Sequence, residues 1–137
     1  MSADILVVDD SLTVRMDLAE TFEASGLRAV PCASVAEARA ALAGGSVALV
    51  ILDVHLPDGD GIDLLREIRE APSTAALPVL LLSTESEVRD RIRGLQMGAC
   101  DFIGKPYDAG YVVVRVHEIL GSRASGAAGG AKTVLVI

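Results

Sequence analysis

Short apolar runs alternate with segments of helical periodicity along most of this chain. Each run is five or six residues long and is followed by polar or turn-forming residues; the runs span 3–8, 27–31, 47–52, 78–82 and 100–104. Continuous apolar runs are typical of strands covered on both faces. The pattern therefore predicts five strands in alternation with five helices, an α/β fold with a parallel sheet and helices on both faces.

Capping and breaking residues delimit the predicted helices. Ser34 with Glu37, and Thr84 with Glu87, have the spacing of a capping box. Residues 112–114 are three valines with weak helix propensity, so only the alternation supports the last helix. The predicted helices run from Ser11 to Ser25, from Ser34 to Gly44-Gly45, from about Ile62 to before Pro72, from Thr84 to near Gly98 and from about Asp108 to Leu120.

Composition narrows the function classes. The 137 residues are 51% hydrophobic but only 3% aromatic, and they carry a formal net charge of −7 without any run of Lys or Arg. These values predict one ordinary domain with an aliphatic core and argue against direct nucleic-acid binding. No apolar segment approaches the roughly 18 residues of a membrane span, so we expect no membrane segment in this chain and a cytoplasmic location. We expect Cys32 and Cys100 to be small core residues, since neither lies in a Cys-x-x-Cys motif.

The last residues differ in composition from the rest. Residues 121–130 are rich in Gly, Ala and Ser, which is typical of a flexible linker, and residues 132–137 are similar to the opening strand 3–8. We predict a domain over 1–122, a linker over 123–131 and the first strand of a truncated second copy over 132–137. The alternative is a linker that ends in an unrelated apolar hexamer.

Polar side chains follow four of the predicted strands, and the carboxyl ends of parallel strands meet at one edge of a sheet. Several carboxylates placed together repel one another unless a cation compensates them, and Mg²⁺ suits that role, with Mn²⁺ as an alternative. A lysine and hydroxyl groups beside them suit phosphoryl oxygens. The residues concerned are Asp9, Asp10, Asp53, Ser83, Thr84 and Lys105.

Asp53 ends the apolar run 47–52 and is the candidate nucleophile. A carboxylate beside Mg²⁺ and Lys105 can attack a phosphoryl group and form an aspartyl phosphate. The residues themselves therefore predict Mg²⁺-dependent phosphorylation of an aspartate.

The ordered set of motifs resembles the receiver domain of two-component response regulators over residues 3 to about 120. No single motif is specific, but their order and spacing are. The matching residues are the acidic pair Asp9-Asp10, the phosphoacceptor Asp53, the loop residues Pro57 and Asp60-Gly61, the switch residues Ser83 and Phe102, and the pair Lys105-Pro106.

The resemblance implies a flavodoxin-like (βα)5 fold with strand order 2-1-3-4-5 and a cis bond between Lys105 and Pro106. It implies that Asp10, Asp53 and the backbone carbonyl of His55 hold Mg²⁺, while Asp9 orients a ligated water. The phosphoryl group would come from a histidine kinase or a histidine phosphotransfer domain.

The resemblance also implies a conformational switch. Ser83 and Phe102 would move toward the phosphate and change the face formed by the fourth helix, the fifth strand and the fifth helix. A neighbouring receiver or a second copy of the chain is a candidate partner for that face. Thr84 is larger than the usual residue after the switch serine and narrows access to the phosphate, or it serves only as a helix cap.

His55 lies two residues after the phosphoacceptor, where the family varies. One hypothesis is that its side chain modulates attack of water on the phosphoaspartate; the alternative is an exposed loop histidine without a chemical role. Two other functions stay open: an aspartyl-phosphate hydrolase or phosphatase, which usually has a second acid at this position, and a degenerate receiver that only binds partners. By family analogy, the parent protein is a hybrid histidine kinase or a two-receiver diguanylate cyclase.

Overall fold

The computed structural model describes the backbone of residues 4–83 and 88–129 and the side chains of residues 4–83 and 91–121. Five strands form one parallel sheet in the order β2-β1-β3-β4-β5. This topology confirms the predicted flavodoxin-like order 2-1-3-4-5. The strands are β1 (Asp4–Val8), β2 (Arg28–Cys32), β3 (Val47–Asp53), β4 (Val79–Ser83) and β5 (Asp101–Gly104).

Five helices connect and follow these strands: α1 (Leu12–Ala24), α2 (Val35–Ala43), α3 (Gly61–Glu70), α4 (Val88–Gln96) and α5 (Ala109–Gly129). Side chains cap the first three, because Ser11, Ser34 and Asp60 accept hydrogen bonds from the first turns of α1, α2 and α3. The predicted capping box of Thr84 and Glu87 lies outside the described residues. Within the described residues, none of the helices combines the length and apolarity that a bilayer crossing needs.

The prediction that the last helix ends at Leu120 was wrong, because α5 continues to Gly129. Once a helix exists, each further residue adds a hydrogen bond without a new nucleation cost, and Ala124, Ala127 and Ala128 are strong helix formers. Most of the segment predicted as a flexible linker is therefore helical in its backbone. The division into domains stays a prediction, and residues 132–137 lie outside the described part of the chain.

Two apolar layers cover the two faces of the sheet. Alternate strand residues such as Ile5 and Val7 pack with α1 and α5, where Val112, Val113 and Val116 are buried. The other strand residues, such as Leu6 and Val8, pack with α2 and α3. Of the predicted run 112–114, Val112 and Val113 are buried and Val114 is 54% exposed. Burial of Val112, Val113 and Val116 outweighs the weak helix propensity of valine, which explains why the helix forms there.

The two cysteines lie on opposite faces of the sheet and differ in burial. Cys32 is buried in the core on the α2–α3 face, and Cys100 is partly buried against the opposite layer. Burial, together with the nearby charge of Glu37, raises the pKa of the Cys32 thiol to about 11. This thiol is therefore a core residue with little thiolate at neutral pH.

A short hairpin follows β3, where the sequence indicated only turn residues. His55–Leu56 and Gly59–Asp60 pair antiparallel, with His55 opposite Asp60 and Leu56 opposite Gly59. At the base of the hairpin, the Gly61 N–H donates to the Val54 carbonyl at 2.7 Å. A side chain at Gly61 would collide with the backbone of Asp53, so the close return of the chain requires glycine there.

Candidate functional site

The carboxyl ends of β1, β3, β4 and β5 bring the predicted polar residues to one edge of the sheet. Asp9 directly follows β1, Asp53 ends β3, Ser83 ends β4, and Lys105 directly follows β5. One carboxylate oxygen from each of Asp9, Asp10 and Asp53 lies within 4.8 Å of the other two. The structure thus assembles the predicted acidic cluster at this edge.

Asp9 is the most enclosed member of the cluster, with 1% of its surface exposed. Its Oδ1 accepts a hydrogen bond from the Ser11 N–H at 2.9 Å, at the start of α1. Its backbone carbonyl accepts one from Arg15 Nη1, also at 2.9 Å. Its Oδ2 lies 2.6 Å from Lys105 Nζ in an ion pair. Asp9 is therefore held in one orientation, whereas Asp10 is exposed beside it.

Asp53 is also buried, and its two oxygens have different partners. Oδ1 accepts a hydrogen bond from the His55 N–H at 3.2 Å, and Oδ2 lies 3.5 Å from Lys105 Nζ. Burial and then the charge of Asp9 raise the pKa of Asp53, although the His55 N–H and the Lys105 ammonium favour its charged form. The negative charge on Asp53 is thus costly in the protein alone, and added positive charge would stabilise it.

The residues present fit a hard divalent cation. Asp9 Oδ2 is buried and accepts no hydrogen bond of acceptable geometry, although Lys105 Nζ is close to it. Three carboxylates share this edge with a single lysine ammonium among the residues named for the site. Carboxylate and carbonyl oxygens are the ligands that Mg²⁺ and Mn²⁺ prefer.

The other predicted site residues surround this cluster. Ser83 is fully buried, and its carbonyl accepts a hydrogen bond of 2.7 Å from the Lys105 N–H, which joins the ends of β4 and β5. Phe102 is 7% exposed and packs in the apolar layer with α2 and α3. His55 is exposed on the hairpin, and the Lys105–Pro106 bond is cis, as the resemblance implied. Thr84 lies outside the described residues.

The fold and the acidic edge are shared with a known protein family. The family model described as the response regulator receiver domain matches residues 5–117. The chain belongs to this receiver family. Receiver domains generally bind Mg²⁺ at an acidic pocket, and this structure has an acidic cluster of Asp9, Asp10 and Asp53.

Individual relatives support the assignment. The receiver is 38% identical over 117 residues to the transcriptional regulatory protein GltR of Pseudomonas aeruginosa, covering 85% of this chain and 48% of GltR. It is 40% identical over 121 residues to the regulatory protein VanRc of Enterococcus gallinarum, covering 88% of this chain and 51% of VanRc. The chain thus spans about half the length of these relatives. The solved Francisella response regulator 1452 receiver domain superposes with a TM-score of 0.81 at 27% identity, covering 90% of this chain and 99% of that one.

Two contacts of the receiver's hairpin were missed by sequence reasoning. Asp58 accepts hydrogen bonds from backbone N–H groups of α2, and Asp60 Oδ2 lies 3.3 Å from Arg93 Nη2 of α4. The sequence identified Pro57 and Asp60-Gly61 only as loop residues. Nothing local in that segment reveals which helices its carboxylates reach, because the partners lie more than twenty residues away along the chain.

Proposed function

We propose that this receiver accepts a phosphoryl group on Asp53 from a phosphohistidine, in a Mg²⁺-dependent reaction. The observation that carries the proposal is the placement of one buried carboxylate at the end of β3, 3.5 Å from Lys105 Nζ and within 4.8 Å of the Asp9 and Asp10 carboxylates. This arrangement supplies a nucleophile, a lysine for a phosphoryl oxygen and carboxylate ligands for a cation.

Asp10, Asp53 and the His55 carbonyl would hold the cation, and Asp9 would orient a ligated water. When bound, Mg²⁺ or Mn²⁺ neutralises the carboxylates and the charge that develops on the phosphoryl oxygens. Asp9 is suited to its role because Ser11 and Lys105 already fix its carboxylate.

The transfer exchanges one bond for another. An Asp53 carboxylate oxygen attacks phosphorus, a P–O bond forms, and the P–N bond to the donor imidazole breaks. The electron pair of the broken bond stays on the imidazole nitrogen, which takes up a proton. Lys105 Nζ stabilises the transferring group because its two carboxylate neighbours hold it at the site.

The signal would leave the site through Ser83 and Phe102 toward the face formed by α4, β5 and α5. That face exposes apolar side chains, including Ile92 and Leu95 of α4 and Tyr111 of α5, beside the ion pair of Arg115 with Asp101. Exposed apolar surface of this kind suits a protein partner, and we propose a neighbouring receiver or a second copy of the chain. A histidine kinase or histidine phosphotransfer domain is the proposed donor, and the proposed location of the reaction is the cytoplasm.

Two alternatives have less support. A hydrolase that uses an aspartyl intermediate usually has a second acid two residues after the nucleophile, where this chain has His55. A degenerate receiver would have no reason to retain the complete cluster of Asp9, Asp10, Asp53 and Lys105. The parent protein stays a proposal: a hybrid histidine kinase, a diguanylate cyclase or, by analogy with GltR, a transcriptional regulator.

Incubation with Mg²⁺ and a small radiolabelled phosphodonor tests the proposal. The wild type should take up about one phosphoryl group per chain, and Asp53→Asn should take up none because it lacks the nucleophile. Asp63→Asn, which removes the same charge from an exposed position of α3, is the matched control and should be labelled normally. Labelling of Asp53→Asn would contradict the proposed site, rapid multiple turnover would indicate a hydrolase, and absence of labelling in the wild type would indicate a module that only binds partners.

A further inference from the structure

The hairpin after the phosphoacceptor is attached to α2 by the carboxylate of Asp58. Asp58 Oδ1 accepts a hydrogen bond from the Val35 N–H at 2.8 Å, and Oδ2 accepts one from the Ala36 N–H at 3.1 Å. The first N–H groups of a helix have no partner within the helix. Asp58 therefore supplies, from 23 residues away in the sequence, two acceptors that the start of α2 needs.

The rest of the first turn of α2 is satisfied locally. The Glu37 N–H donates to Ser34 Oγ at 3.2 Å, and the Ala38 N–H donates to the Ser34 carbonyl at 3.1 Å. The start of α2 thus has two caps, one local and one from the hairpin. Hydrogen bonds led by that from Val35 lower the pKa of Asp58, so the side chain is bound as a carboxylate. A carboxylate at this end is also favoured by the helix dipole.

Asp58 lies at the tip of the hairpin whose first strand contains His55. Gly59 pairs with Leu56, and Asp60 pairs with His55, so the position of the tip determines the position of the strand opposite. Gly59 also lies against α2, because a Cβ built there would be 3.3 Å from Val35 Cγ2. The contact with α2 therefore fixes the tip of the hairpin by both hydrogen bonding and packing.

We propose that Asp58 is a positioning residue of the phosphorylation site: by binding the first turn of α2 it fixes the hairpin, and with it the His55 carbonyl that holds the cation. The proposal rests on the function proposed above, in which that carbonyl is a ligand. Backbone ligands cannot be oriented by a side-chain rotamer, so their geometry depends on how the surrounding chain is anchored. Asp58 provides such an anchor outside the acidic cluster.

Two measurements on Asp58→Ala test this role. In metal-free protein, hydrogen exchange of the His55 and Gly61 amides should accelerate, because these N–H groups bind Asp53 Oδ1 and the Val54 carbonyl at the base of the hairpin. In calorimetric titration with Mg²⁺ alone, the affinity should fall roughly tenfold, the lower end of what outer partners of metal ligands contribute. Asp58→Asn keeps one acceptor oxygen, so its hydrogen exchange and its Mg²⁺ affinity should lie between those of Asp58→Ala and the wild type.

Two control variants separate the positioning role of Asp58 from the loss of a helix cap and from the loss of a negative charge. Ser34→Ala removes the local cap of α2 without touching the hairpin, so it should lower stability yet leave hairpin exchange and Mg²⁺ affinity within twofold of the wild type. Asp63→Ala removes one exposed negative charge and controls for long-range electrostatics. If Ser34→Ala or Asp63→Ala matched Asp58→Ala in both measurements, the positioning role would be overturned while the proposed function stood. A wild type that binds no Mg²⁺ would overturn the proposed function, and the exchange comparison would then decide whether Asp58 anchors the hairpin.

Discussion

Helices α2 and α3 are joined to each other and to the hairpin by side-chain hydrogen bonds. Helix α4 lies on the same face of the sheet and reaches the hairpin through an ion pair of Arg93. Arg39 of α2 binds Glu67 of α3 with two hydrogen bonds of 3.0 and 2.6 Å. Asp58 adds two more bonds between the hairpin and α2. On the other side, Arg93 of α4 reaches Asp60 at 3.3 Å.

The apolar residues of the two sides also differ in exposure. In α3, Ile62, Leu64, Leu65 and Ile68 are at most 2% exposed, whereas in α4 Ile92 is 47% and Leu95 is 45% exposed. The apolar side chains of the α2–α3 side are therefore buried in the core, and α2 is hydrogen-bonded to the hairpin. The α4 side leaves apolar surface exposed, which suits the partner binding proposed for this face. The hairpin after Asp53 therefore lies between a side that is buried and hydrogen-bonded to it and a side that is more exposed.

The largest expected difference between the two sides is in stability. Leu65→Ala should lower the free energy of unfolding by about 2–5 kcal/mol, because it leaves a cavity in a fully buried layer. Ile92→Ala should change it by less than about 0.5 kcal/mol, because Ile92 is a surface residue with 47% of its area exposed. Urea denaturation of both variants measures the contrast. Similar losses in the two would show that α4 is packed as firmly as α3.

The sequence predicted that Asp9, Asp53 and Lys105 lie at one edge of the sheet, because their positions follow from local sequence patterns. Each of Asp9, Asp53 and Lys105 stands at or just after the end of an apolar strand, and parallel topology alone brings such ends together. The contacts that hold the hairpin beside the site do not follow from local sequence patterns. The reach of Asp58 to α2, or of Arg93 to Asp60, depends on how separate elements pack. The end of α5 was missed for another reason, because glycines at 121, 126 and 129 suggested a linker while the alanines between them favoured continuation of the helix.

A smaller effect tests how closely α4 approaches the sheet. A Cβ at Gly94 would collide with Leu81 Cδ1, and Leu81 is fully buried, so the conflict cannot be relieved toward solvent. Gly94→Ala should therefore be destabilising by about 1 kcal/mol, since overpacking outweighs the gain in helix propensity.

Gly121→Ala in α5 is the matched control for this change. A Cβ there has no atom within 4 Å, so the variant should gain up to about 1 kcal/mol from helix propensity alone. If thermal or urea unfolding shows that Gly94→Ala is destabilised and Gly121→Ala is stabilised, the result would support close packing of α4 against the sheet. A stabilised Gly94→Ala would show instead that α4 can shift to accommodate the added Cβ. The difference in packing between α4 and α3 would then be larger.

The smallest effect concerns acid, and it acts on the α2–α3 side. The hydrogen bond from the Val35 N–H, with that from Ala36, lowers the pKa of Asp58, and the Arg39 hydrogen bond lowers the pKa of Glu67. A carboxylate with a lowered pKa in the folded state binds fewer protons there than in the unfolded chain, so stability rises with pH in the window between the two pKa values. The contribution of each carboxyl to stability is complete above about pH 4, the ordinary range of these pKa values, and is lost as the pH falls through the folded pKa.

Asp53 has a raised pKa, so its contribution to stability changes with pH in the opposite direction. The informative quantity is therefore the difference in unfolding free energy between the wild type and Asp58→Asn, in which the Asp53 contribution cancels. That difference should be largest above pH 4 and shrink on acidification. The same comparison between the wild type and Glu67→Gln measures the contribution of the Arg39–Glu67 ion pair to stability. Added salt should reduce that contribution. A difference for Asp58→Asn that does not vary with pH would mean that its hydrogen bonds to α2 do not depend on the negative charge, and the fixed support of the hairpin would then rest on packing at Gly59 and Val35.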